Sequence, residues 1–125
     1  MKKIINTQNA PEPIGPYSQA IMIGSTLYTS GQVAINPQTN ELEMDDIKSE
    51  TKLVMENLQA ILTEAGMDFS HVIKCSIFIS DMDYFTQINE VYGSYFIKDF
   101  PARETVEVAG LPKNVNVEIS VIAVK

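Results

Sequence analysis

The stretch Asp45–Ser80, D-D-I-K-S-E-T-K-L-V-M-E-N-L-Q-A-I-L-T-E-A-G-M-D-F-S-H-V-I-K-C-S-I-F-I-S, changes its hydrophobic period midway. Up to Ala65, the positions Ile47, Thr51, Val54, Leu58, Ile61, Leu62 and Ala65 recur at three and four residues, the stripe of an amphipathic helix. Asp45 or Asp46 can cap its start, and Gly66 is a natural stop. From His71 the period falls to two. Ile73, Cys75, Ile77 and Ile79 then share one face of a strand, in which Cys75 reads as a small buried hydrophobe.

Upstream, K-K-I-I-N reads as a short strand, and I-M-I-G-S-T-L-Y-T-S-G-Q-V-A-I as two β segments turning at Gly24-Ser25. Between them, N-A-P-E-P-I-G-P-Y is stiffened by three prolines and delivers Tyr17 and Ser18 to a defined place. Downstream, Asp81 can cap a second helix through about Lys98, with Phe85, Ile88, Tyr92, Tyr95 and Phe96 inward. Pro101 biases Phe100 away from helix. Two strands close the chain, Arg103–Ala109 and Val115–Val124, joined by G-L-P-K-N. The order β-β-β-α-β-α-β-β predicts an α+β fold, a mixed sheet with both helices on one face, in a single domain over residues 1–125.

Composition narrows the function classes. The formal net charge is −7 and there is no basic patch, which argues against nucleic acid or an anionic membrane as the partner. No apolar run approaches the ~20 residues of a membrane span. Asn6 and Thr7 end the apolar start before it becomes a signal segment, so a cytoplasmic location is expected. One Cys and one His exclude the usual zinc clusters, and no metal site is expected. A Cys75–His71 pair would lie roughly 13 Å apart along a strand, too far to act together.

The only arginine is Arg103, in F-P-A-R-E-T-V-E-V. Its planar fork of donors fits a carboxylate or phosphate two bonds at a time. Aligning the apolar faces of the last two strands as a hairpin pairs Val108 with Val115 and Val106 with Val117. That register sets Thr105 opposite Glu118 and gathers Arg103, Thr105 and Glu118 in one polar patch. The patch reads either as a solvated face with an ion pair worth at most ~1 kcal/mol, or as a small anion site. Near its end the terminal strand is β-branched on both sides (Val121, Ile122, Val124), so the second face of the sheet needs cover that a subunit interface would supply.

The motifs I-G-P-Y-S-Q-A, Y-T-S-G-Q-V, F-I-S-D-M, I-N-E-V-Y-G-S-Y-F, F-P-A-R-E-T-V-E-V-A and L-P-K-N-V-N-V-E-I-S-V-I-A-V, in this order, resemble the reactive-intermediate deaminase A (RidA, YjgF-type) family from about Ile5 to Lys125. The resemblance implies a chorismate-mutase-like subunit and a homotrimer with clefts between subunits. It also implies cofactor-independent hydrolysis of 2-imino acids, 2-iminobutanoate and 2-iminopropanoate, or their enamines, to 2-oxo acids and ammonia. Such imines are released by pyridoxal-phosphate-dependent dehydratases and damage these enzymes if they persist. By position, Arg103 matches the residue that holds the substrate carboxylate and Glu118 the one that orients or activates water. Tyr17, Gly31 and Asn89 match cleft-lining residues, and Thr105 stands where many members have cysteine. Gly110-Leu111-Pro112 replaces the common Arg-Leu-Pro, and Ile97–Asp99 is short. The alternative is a non-catalytic protein that binds 2-oxo acids or related carboxylates in the same inter-subunit cleft. Chorismate mutase chemistry rests on fold analogy alone, and RNA cleavage lacks a histidine pair.

Overall fold

A computed structural model describes all 125 residues. Its strands are β1 (Lys2–Ile5), β2 (Ala20–Ile23), β3 (Thr26–Thr29), β4 (Val72–Ile79), β5 (Ala102–Glu107) and β6 (Val117–Val124). Its helices are α1 (Ile47–Glu64) and α2 (Phe85–Gly93). The strands form one sheet in the order β1-β2-β3-β6-β4-β5, antiparallel throughout except for the parallel pair β4–β5. This is the mixed α+β architecture expected from the sequence. No helix is long and apolar enough to cross a membrane.

The helix α1 follows its predicted stripe. Asp46 caps it by accepting from Ser49 N, and Gly66 leaves it at φ +73°, a conformation that favours glycine. Val54, Met55, Leu58, Ile61 and Leu62 are fully buried in one cluster with Cys75, Ile77 and Ile79 of β4 and Val117, Ile119, Val121 and Ala123 of β6. Each such aliphatic side chain contributes about 1.5–3 kcal/mol by leaving water.

Glu50 on the same buried face escaped the hydrophobic pattern. Its carboxylate accepts from the backbone N–H and side-chain amide of Asn116, both at 2.8 Å, and from Val117 N at 3.3 Å. It thereby joins the first turn of α1 to the start of β6. Removing it strands those donors in the protein interior. Glu50→Ala is therefore expected to cost about 3 kcal/mol, read as a lower denaturation midpoint at unchanged m-value.

Three local expectations are corrected. Ile73 is 52% exposed and Val72 takes its inward place, because the ladder shifts register between Val72 and Lys74 and reverses parity before Cys75. The second helix is shorter than Asp81–Lys98. Asp81 caps a 3₁₀ turn, Met82–Tyr84, and α2 ends at Gly93, beyond which Phe96 turns inward against Tyr92 and Phe69, at ring distances of 5.0 and 5.5 Å. The third correction is the largest: β5 and β6 are not a hairpin. Strand β4 lies between them, pairing Cys75 with Arg103 and with Val121, and Phe78 with Val106 and with Glu118. β6 carries apolar residues on both sides and suits a central position. β5, with Arg103, Glu104 and Glu107, suits an edge.

The helices cover one face of the sheet and nothing in the subunit covers the other. There Tyr28 is 49% and Val106 40% exposed, with Ile122 and Phe78 half-buried between them.

Candidate active site

The first cleft forms where the N-terminal loop meets β6. Buried Gln19 ties that loop down: its Oε1 accepts from Thr7 N at 2.8 Å, and its Nε2 donates to the Thr7 and Pro11 carbonyls at 3.0 and 2.9 Å. Ser30 donates to the Ser18 carbonyl from its hydroxyl, and its N–H donates to the Gln19 carbonyl. Gln32 exchanges both backbone hydrogen bonds with Ile119, and Asn57 of α1 donates to the carbonyls of Val33 and Ile35. These bonds bring Tyr17, Ser30, Gly31 and Glu118 to one cleft of about 320 Å³.

Gly31 is needed here for space. A Cβ at this position would stand 2.6 Å from both Cδ and Oε2 of Glu118. The half-buried Glu118 carboxyl has its pKa pushed above the ordinary 4.5 by burial, with no charge or hydrogen bond opposing the shift. Gly31→Ala must displace this carboxylate, with little change expected in Tm, since only the end of a flexible side chain has to move.

The second cleft, about 330 Å³, lies under the β5 edge and is lined by Asn89, Tyr92, Phe100 and Arg103. Arg103 Nη1 donates to Asn89 Oδ1 at 2.7 Å, and its Cζ lies 5.0 Å from the Tyr92 ring centre and 5.6 Å from that of Phe85. Thr105 is on the same side of β5, its hydroxyl oxygen buried without a hydrogen-bond partner.

The expected residues thus divide into two groups. Tyr17, Gly31 and Glu118 meet in one cleft, while Asn89 and Arg103 meet in the other, with Thr105 on the same side of β5 as Arg103. The single polar patch inferred from the hairpin does not form within one subunit. Arg103 and Thr105 share rows with Cys75 and Ile77 on the helix-covered face, and Glu118 shares its row with Phe78 on the uncovered face. They project to opposite sides of the sheet and lie two strands apart, roughly 10 Å of sheet width.

Cys75 is fully buried, and burial pushes its thiol pKa up. His71 sits outside the strand in a 3₁₀ turn, its Nδ1 accepting from Asp68 N at 3.0 Å. Sequence reasoning missed Gln19, Asn57, Phe85 and Tyr92 as supports of the two clefts. For Phe85 and Tyr92 a signal existed, since with Asn89 they repeat at helical spacing.

A family described as Endoribonuclease L-PSP matches residues 7–125. A RutC family protein of Pyrococcus horikoshii is 50% identical over 125 residues, covering 100% of this chain and 99% of its own. The 2-iminobutanoate/2-iminopropanoate deaminase of Dermatophagoides farinae is 46% identical over 123 residues, covering 98% and 96%. The crystal structure of Escherichia coli TdcF with bound serine superposes at a TM-score of 0.95 with 44% identity, over 98% of each chain. Agreement of this extent in sequence and in fold places the chain in the Endoribonuclease L-PSP family, the RidA family that its motifs resemble.

Proposed function

We propose that this protein hydrolyses 2-imino acids and their enamine tautomers, 2-iminobutanoate and 2-iminopropanoate among them, to 2-oxo acids and ammonia, without a cofactor. The reaction occurs in clefts shared between subunits of a homotrimer. One observation carries the reading: each subunit holds a carboxylate cleft without a cation on one face of its sheet, and a guanidinium cleft without an anion on the other. Two such half-sites become one site when the first cleft of one copy meets the second cleft of the next. The uncovered sheet face, with Tyr28 and Val106 exposed, supplies apolar surface for that assembly. The mite deaminase and the serine bound in TdcF support a small α-carboxylate ligand.

The chemistry asks little of the protein. An iminium carbon is already electrophilic, so the site has to hold the carboxylate, place a water and accept its proton. Arg103 binds the carboxylate through its fork. Glu118 of the neighbouring copy takes a proton as water oxygen bonds to the iminium carbon, giving a carbinolamine. Glu118 then returns that proton to the nitrogen. The C–N bond breaks with its electrons leaving on nitrogen, while the hydroxyl O–H electrons form the C=O bond. The hydroxyl proton passes back to the Glu118 carboxylate, which releases it to the departing ammonia, and the 2-oxo acid remains. Tyr17 and backbone groups beside Gly31 line the carboxylate half, and Thr105 stands next to Arg103 on the same side of β5 without lining the arginine half.

A base must be ionised to act, so kcat/KM should rise with pH and level off above the Glu118 pKa. Burial in the single subunit raises the Glu118 pKa, and the guanidinium that meets it on assembly acts against that rise. A pH–rate profile of wild type beside Glu118→Gln checks this, and an identical acid limb in both would remove Glu118 from the role. The direct test of the function is the decay rate of imines generated by a dehydratase in a coupled assay. Protein that binds 2-oxobutanoate yet leaves imine lifetime unaltered would instead establish a carboxylate-binding role. RNA cleavage is disfavoured because the sole histidine closes a capping turn and lines neither cleft.

A further inference from the structure

Arg103 is not free to swing. Phe85, Asn89 and Tyr92 stand at i, i+4 and i+7 of α2, so one helix face presents all three toward β5. They engage the guanidinium together: two rings at 5.6 and 5.0 Å from Cζ, and an amide oxygen 2.7 Å from Nη1. The carboxylates of its own strand are turned elsewhere. Glu104 pairs with Lys74 at 2.8 Å and accepts from Ser76 on the opposite face, and Glu107 accepts from Met82 N. A guanidinium has five N–H donors, and the structure gives Arg103 one hydrogen-bonded partner. The remaining donors are available to a ligand in the cleft.

We propose that Phe85, Asn89 and Tyr92 are positioning residues, a cradle on α2 that orients the Arg103 fork before substrate arrives. The inference rests on Arg103 being the carboxylate holder. Asn89 then acts through Arg103 rather than on the substrate. Arginine side chains lose much rotamer freedom when fixed, and a cradle removes that loss from the binding step. Phe85 and Tyr92 hold the cation without competing for its in-plane donors, whereas a carboxylate partner would occupy the edge that the substrate needs. The Tyr92 hydroxyl adds nothing to this role, being buried near the Cys75 thiol without a well-formed hydrogen bond.

The experiment titrates 2-oxobutanoate into the assembled protein and measures imine turnover in parallel. Phe85→Leu and Asn89→Ala are each expected to weaken 2-oxobutanoate binding by about 3- to 10-fold and to raise KM, with kcat nearly constant. In an Arg103→Lys background, which keeps the charge but has no planar fork to cradle, the same two changes should have no further effect. Phe85 is 37% exposed, so its variant keeps the fold that Tyr92→Leu endangers. Tyr92→Phe keeps the ring and should restore the affinity that Tyr92→Leu loses. Equal losses in the wild-type and Arg103→Lys backgrounds would overturn the cradle, as would no loss in either. An Arg103→Lys variant with wild-type affinity would overturn the cradle, since no oriented fork would then be needed. An Arg103→Ala variant with wild-type affinity would overturn the carboxylate assignment itself, and the cradle with it.

Discussion

Arg103→Ala is expected to lower kcat/KM for 2-imino acids by about 100- to 1,000-fold, chiefly through KM. Two charge-assisted hydrogen bonds to a carboxylate are worth roughly 1.5–3 kcal/mol each before the cost of fixing the side chain. A net loss of about 3–4 kcal/mol corresponds to two to three decades in the rate constant. No other residue can compensate, because this chain has no second arginine and neither cleft is lined by a lysine. Folding should be little affected: Arg103 lies half-buried on an edge strand, and only Asn89 Oδ1 loses a hydrogen-bond donor. Dehydratase-generated imine, followed with and without the variant, checks the prediction. A decay rate equal to wild type would remove the carboxylate assignment.

Glu118→Gln should act differently, reducing kcat by about 100- to 10,000-fold while KM stays near its original value. The amide keeps the shape of the carboxyl group but cannot take a proton from water. Stability should move the other way. The folded-state pKa of Glu118 lies above its unfolded value, so the folded state binds more protons across that interval. Stability is therefore lost as pH rises through the interval, and a neutral amide relieves that loss. As a dissociated subunit, where no guanidinium faces the carboxylate, the variant should be at least as stable as wild type at neutral pH by chemical denaturation.

The two variants together test whether the site is shared. Separately assembled, each lacks one half of every cleft. Unfolded together at equal amounts and refolded into mixed cyclic trimers, about a quarter of the clefts would inherit Arg103 from one copy and Glu118 from its neighbour. Activity should reappear to that extent. If mixed assemblies stay as inactive as the parents, no cleft draws on two copies.

Much of the fold is legible because helices and strands write their period locally. Asp46, the Ile47–Leu62 stripe and Gly66 specify α1 with no reference to the rest of the chain. The turn at Gly24, left-handed at φ +56°, is equally local. The failures all involve a partner. Ile73 left the core because a bulge in the ladder with β6 reversed its parity, which no count along β4 alone reveals. Glu50 was invisible because a buried carboxylate is tolerable only where three donors await it, and those donors lie 66 and 67 residues away.

The candidate site divides in the same way. Residue type marked Arg103 as the group for a small anion, strand parity drew Thr105 and Glu118 to it, and the motif resemblance supplied the carboxylate role together with Tyr17, Gly31 and Asn89. Parity within β6 correctly placed Glu118 opposite the valines. It could not say which strand stands beside β6. Seven residues in the β4–β6 ladder and six in the β4–β5 ladder pair across long loops, and together they outweigh a local hairpin between β5 and β6. Insertion of β4 moved Arg103 to the helix face and left Glu118 on the bare one. The sequence by itself determined the element types, their order and the chemical groups available. Only the tertiary structure decided which groups share a cleft, because side-chain period is a property of one strand and strand order is a competition among all of them.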